Sequence, residues 1–135
     1  MFCFSILSET SPKDVLCLYE DEDIQVAVEK FKQVNLMSLP VLNRAEHVCG
    51  TLALYEVVEW FQKATDLRTS WQDQVKHIMK RQVVTVQPDQ ELQDLIPYFV
   101  ERSFNYIPVV DNKALVGIIS RADMIAALYR LLQHR

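Results

Sequence analysis

The chain carries one pattern twice, and in one register. Moved back 68 places, Leu92, Leu95, Ile96 and Phe99 fall on Ile24, Ala27, Val28 and Phe31. The same shift lays Tyr106-Ile107-Pro108-Val109-Val110 on Ser38-Leu39-Pro40-Val41-Leu42. Gly117 falls on Gly50 with a shift of 67, because the turn before it is one residue shorter. A helical stripe, a proline and a glycine that repeat together mark an internal duplication. Each copy has about 60 residues, a small core for an independent domain. The two copies are therefore expected to pack on each other.

Each copy reads strand, helix, strand, strand, helix. Asp14-Val15-Leu16-Cys17-Leu18-Tyr19 opens the first as a strand. The acidic run Glu20-Asp21-Glu22-Asp23 reads as a cap, since carboxylates favour the positive end of a helix dipole. The helix behind it carries Ile24, Ala27, Val28 and Phe31 at i, i+3, i+4 and i+7. Ser38 to Leu42 is extended, and Pro40 suits a strand start or edge. Asn43-Arg44-Ala45-Glu46 is a polar turn, 47–54 a strand, and Tyr55 to Lys63 a helix. The second copy follows with a helical turn at Gln74 to Met79 and a strand at Val83-Val84-Thr85-Val86. Its first helix starts at Pro88-Asp89, and Pro97 should kink or shorten it. Asp111-Asn112-Lys113 is the turn, and the last helix runs from Arg121 to Leu132. The fold class is α/β (mixed α+β). The expected boundaries are a first repeat at 1–63, a linker at 64–73 and a second repeat at 74–135.

Composition removes several classes. Half of the 135 residues are hydrophobic, too many for a disordered chain. No apolar run approaches the roughly 18 residues of a membrane span. Met1 to Leu7 is apolar but lacks a basic flank, so it reads as a short strand rather than a signal peptide. Two glycines argue against a loop-rich fold or a glycine-rich phosphate loop. The net charge of −4 gives no general case for nucleic acid. Residues 1–68 hold 6 Lys/Arg against 11 Asp/Glu, a net of −5, and residues 69–135 hold 8 against 7, a net of +1. An anionic ligand would prefer the second half. Cys3, Cys17 and Cys49 form no close pair and read as buried thiols of a reducing, cytoplasmic compartment.

One corner stands out. Leu115-Val116-Gly117-Ile118-Ile119 is an apolar run that enters a helical pattern through Ser120-Arg121-Ala122-Asp123. A helix start offers free N–H groups and a positive dipole end, which suit a phosphate. Ser120-x-x-Asp123 is also a capping box, in which the hydroxyl takes the third N–H and the carboxylate reaches back. The two roles are compatible. In the first copy Ala53 stands for the hydroxyl and Glu56 for the aspartate, so at most one competent site is expected.

These residues resemble a known family, the tandem CBS (cystathionine-β-synthase) domain pair, or Bateman module. The resemblance runs from about Asp14 to Leu132. It is carried by Val75-Lys76-His77-Ile78-Met79, Val83 to Val86, Ile107-Pro108-Val109-Val110-Asp111 and Gly117 to Asp123. It implies two β-α-β-β-α repeats packed with pseudo-two-fold symmetry. It implies a regulatory rather than enzymatic role, with an adenosine compound such as AMP, ADP, ATP or S-adenosylmethionine bound in the cleft between repeats. It implies a homodimer that regulates an enzyme or a membrane transporter. Carried over, Ser120 and Asp123 hold the ribose hydroxyls, Thr85 contacts the ligand, Tyr106, Ile107 and Pro108 wall the adenine, and Arg121 reaches a phosphate. The tail from Ser120 to Arg130 also resembles, more weakly, CBS pairs that end HPP-family membrane proteins, a likeness that implies an origin in, or a role beside, a membrane protein.

Other residues have plainer readings. His47, His77 and His134 are scattered without metal spacing, and suit surface or helix-end roles. Trp60 and Phe61 read as packing, and Trp71 as a linker anchor. No nucleophile and base stand together as catalysis requires. The rival reading is a structural module that dimerises without a ligand, motivated by the degenerate first corner and by Tyr129, Leu131 and Leu132.

Overall fold

Ile24, Ala27 and Phe31 share one face of a helix, and burying that face organises the first half of the chain. The computed structural model describes residues 17–33, 36–64, 72–101 and 104–133. The strand expected at 1–7, residues 14–16, most of the linker with Trp71, and Cys3 and His134 lie outside the described residues. The described residues form two compact units, dividing between Val83 and Val84.

In the first unit, β1 (Leu18–Tyr19) pairs in parallel with β2 (Ser38–Leu42), which pairs antiparallel with β3 (Val48–Ala53). Helices α1 (Ile24–Phe31) and α2 (Leu54–Lys63) complete it. Leu18, Ile24, Ala27, Leu39, Val41, Leu52, Val57 and Trp60 form one core. Val75 and Met79 belong to the same core. The sequence repeat counts these two residues with the second copy, yet the chain after the linker straps back onto the first unit. Ile24 N–H bonds Asp73 O, Val75 N–H bonds Glu22 O, and Thr51 and Lys80 exchange two 2.9 Å bonds. Gly50 is required here: a Cβ would lie 2.7 Å from Lys80 O and 2.8 Å from Met79 Sδ.

The acidic run does not cap α1 through its side chains. Asp23 sits at the N-cap without a side-chain cap bond. Glu22 accepts from Tyr19 N–H at 2.7 Å and Lys30 Nζ at 2.8 Å, and Asp21 pairs with Arg44 at 2.7 Å. Cations within reach outcompete the helix end.

In the second unit, β4 (Tyr106–Asp111) and β5 (Ala114–Ser120) form an antiparallel hairpin followed by α4 (Arg121–Gln133). Asn112 and Lys113 turn it with φ of 51° and 70°, the left-handed pair of a type I′ turn. The strand expected at Val83 to Val86 is reduced to one parallel bridge, Val86 to Val109. The cause is Pro88. Its counterpart Glu20 donates its N–H to Leu42 O and extends the ladder, and proline has no N–H to give. Pro97 also divides the expected helix. Leu92–Leu95 is a 3-10 turn, and α3 (Ile96–Glu101) is six residues long with Pro97 in its first turn, where a missing N–H costs little.

The duplication holds at the level of single pairs. Leu18 faces Val41 as Val86 faces Val109, and Ser38 faces Ala53 as Tyr106 faces Ser120. Both hairpins carry an irregularity at the same point, Val41/Leu42 and Val109/Val110.

Candidate functional site

The candidate site forms where β5 hands over to α4. Ser120 is the last strand residue and Arg121 the first of the helix. Helix starts leave four backbone N–H groups without helical partners. At this corner Ser120 N–H donates to Asp123 Oδ2 at 2.8 Å, Arg121 N–H to Asn105 O at 3.2 Å, and Asp123 N–H to Ser120 Oγ at 3.2 Å. The capping box expected from the sequence is formed. Asp123 Oδ1 takes no donor among the described residues, and the side chain is half-buried.

The first copy repeats part of this. Ala53 N–H donates to Glu56 Oε1 at 2.9 Å, and Leu54 N–H to Met37 O at 2.9 Å. Ala53 offers no hydroxyl to the third N–H. Glu56 is buried, and burial pushes its carboxyl above the usual range against the opposing pull of the Ala53 N–H and of Lys80. The Lys80 ammonium lies 5.0 Å from the Tyr55 ring centre. This corner presents a longer, buried carboxylate beside its own cation.

The remaining predicted residues divide by strand alternation. Tyr106 pairs with Ser120 and Pro108 with Ile118, so these four share one face of the hairpin. Ile107 does not join them. It is fully buried in the second core with Val109 and Ile119, on the opposite face, so its side chain is not brought to the corner. Thr85 is exposed and directly precedes Val86, whose N–H bonds Pro108 O. Arg121 is exposed at the helix start. Sequence reasoning missed Asn105. Its contribution is a backbone carbonyl, and its counterpart Met37 has unrelated side-chain chemistry, so no residue type signals it.

His77 Nδ1 accepts Gln74 N–H, and Trp60 Nε1 donates to Asp73 at 3.1 Å. Cys17 and Cys49 are free and half-buried. Burial, with the Glu20 carboxylate 3.3 Å away, pushes the Cys49 thiol up to about 11. Among the described residues no group of three His, Cys, Asp or Glu could hold a metal. Nor is any helix among them long and apolar enough to cross a membrane.

Two hairpin-and-helix units in one register, each with a carboxylate at the third helix position, define a tandem α+β repeat protein. A family model of the CBS domain matches residues 8–63 and again 75–130. The chain belongs to the CBS-domain family, as a tandem pair or Bateman module. It is 23% identical over 146 positions to the uncharacterized protein MJ1426 of Methanocaldococcus jannaschii, covering 86% of this chain and 87% of that one. It is 28% identical over 110 positions to the carnitine transport ATP-binding protein OpuCA of Listeria monocytogenes, covering 81% of this chain. There the chain spans only 26% of the relative's length. Among solved structures it is similar to CBSX2 in complex with AMP, with a TM-score of 0.80, 19% identity, and 96% and 97% of the two chains covered. At that identity the likeness is one of fold.

Proposed function

We propose that the chain is a regulatory module that binds one adenosine-containing nucleotide at the second copy's corner. The observation that carries this reading is the Ser120–Asp123 pair. Asp123 is held in place through Oδ2, and Oδ1 would take a ribose hydroxyl. Tyr106 and Pro108 lie on the same hairpin face and would wall the base, with Thr85 beside them. The AMP complex of a protein with this fold supports the ligand class. The first corner lacks the hydroxyl, so the stoichiometry is one per chain. Binding acts by population shift, biasing an arrangement only as far as the ligand prefers it. The regulated partner is an enzyme or a membrane transporter, the latter favoured by the likeness to a transport ATP-binding protein. Calorimetric titration with AMP, ADP, ATP and S-adenosylmethionine tests this. One bound ligand per chain is expected, lost in Asp123→Asn, which retains an oxygen for the Ser120 N–H. No heat with any of the four, from a folded sample, would overturn it.

A second reading is favoured by α4. Ile125, Tyr129 and Leu132 lie on one stripe and are 69%, 62% and 64% exposed. A second copy covering this stripe would make the chain a dimerisation module that needs no ligand. Dimers in sedimentation whose melting ignores every nucleotide would favour this reading over the first.

A further inference from the structure

We infer that the outer edge of β5 is a docking edge for the head of this chain, residues 5–12, which strap the second unit as residues 73–80 strap the first. The seat for such a strap is built twice. In the first unit three features hold it. The outward edge of Thr51 exchanges two bonds with Lys80, Gly50 leaves room for Lys80 O and Met79 Sδ, and Ile24 N–H donates to Asp73 O. All three recur in the second unit. Val86 N–H takes Pro108 O, so Pro108 turns its carbonyl away from β5. Ile118 lies opposite Pro108, and in an antiparallel pair of this kind both residues turn their backbone groups outward. The N–H and C=O of Ile118 therefore point to the free edge, as those of its counterpart Thr51 do. Gly117, beside it, is buried and stands for Gly50. Leu92 stands for Ile24 and is fully buried. Its N–H meets no acceptor among the described residues, a state that folded chains rarely leave uncompensated.

The register names the occupant. The shift of 68 that relates the two copies ahead of the hairpin turn lays Asp73, Val75 and Lys80 on Ser5, Leu7 and Pro12. Val75 is the fully buried anchor of the first strap, and Leu7 supplies an apolar side chain at the same place. Ser5 C=O would answer Leu92 N–H, and Pro12 C=O would answer Ile118 N–H. Proline has no N–H to return, so this bridge has one bond where Thr51 and Lys80 exchange two. An open strand edge is a template for any extended chain, and the segment that matches this one in register is the chain's own head. Ile118 is two residues before Ser120, so the head braces the strand that carries the candidate corner.

The test is amide hydrogen exchange on the full chain and on Leu7→Asp. In the full chain the Ile118 and Leu92 amides should exchange slowly, at rates that dilution does not change. Leu7→Asp should speed both by about tenfold or more and leave the Thr51 amide as it was. Gly117→Ala should lower the urea midpoint as Gly50→Ala does, since its Cβ would meet the strap, and it keeps the test decisive should Leu7→Asp not fold. Fast exchange at Ile118 and Leu92 in the full chain, exchange that Leu7→Asp leaves unaltered, or a Gly117→Ala protein as stable as the parent would overturn the inference. Protection that fades on dilution would give the edge to a second copy and overturn it as well.

Discussion

Exchanging the hydroxyl between the two corners separates what the cap contributes from what a ligand would need. In Ser120→Ala the Asp123 N–H loses its 3.2 Å partner while Asp123 keeps the Ser120 N–H at 2.8 Å. Half of the capping box goes and half stays, which reproduces the first corner. Loss of a serine N-cap costs about 1 kcal/mol, or about 3–5 °C of Tm for a domain of this size. The reverse exchange, Ala53→Ser, supplies the missing acceptor. Ala53 has φ −100° and ψ 153°, the extended conformation in which a serine cap works, and it is only half-buried. Ala53→Ser should therefore raise stability by up to about 1 kcal/mol. Paired urea and thermal unfolding curves of the two variants check both signs. A neutral or destabilising Ala53→Ser beside a costless Ser120→Ala would refute the reasoning that the hydroxyl is the structural difference between the corners. Calorimetry on Ala53→Ser should still find one nucleotide per chain, because Glu56 remains longer, buried and paired with its own cap.

Gly50→Ala drives a Cβ against Lys80 O at 2.7 Å, and a bridged carbonyl cannot swing away, so a loss of about 2–3 kcal/mol is expected in urea unfolding. Lys113→Gly removes a side chain from a left-handed position at φ 70° and completes an Asn-Gly type I′ turn; Tm should rise, by about 0.5–1 kcal/mol of stability. Glu56 is raised above its ordinary 4.5 by burial. It holds its proton better folded than unfolded, so its contribution is full below 4.5 and is lost as pH rises through the raised value. Glu56→Gln, which still accepts the Ala53 N–H, should be the more stable protein at pH 7, with its advantage shrinking toward pH 4 in denaturation midpoints.

Periodicity made much of the fold legible, because a stripe such as Ile24, Ala27 and Phe31 has meaning only on a helix. The departures come from groups that periodicity does not weigh. The pairing begun at Val86 stops short of Pro88, an ordinary residue in a hydropathy pattern but a missing donor in a ladder. The acidic run was legible as charge, and its partners Lys30 and Arg44 were not, since they come from elsewhere in the chain. Val75 and Met79 read as the head of the second copy because the repeat is counted along the sequence. Their packing into the first unit follows from bonds such as Val75 N–H to Glu22 O, which no local pattern encodes. At the site, alternation along Tyr106-Ile107-Pro108-Val109 puts the Ile107 side chain on the core face, opposite Tyr106 and Pro108.

The comparison of the two corners also limits how the capping box can be interpreted. Both copies bond the strand-end N–H to a carboxylate at the third helix position, and both bond the next N–H to a carbonyl before the hairpin. These bonds are what the repeat needs in order to turn from strand to helix, and they form with Glu as well as with Asp. The first copy makes the turn without a hydroxyl and with Leu54 where the second has Arg121. The turn itself therefore does not require Ser120, the shorter and less buried carboxylate of Asp123, or an exposed arginine at the helix start. The differences between the copies, rather than the cap they share, are what the nucleotide reading draws on. A binding defect in Ser120→Ala larger than its loss of stability is the signature that separates the two.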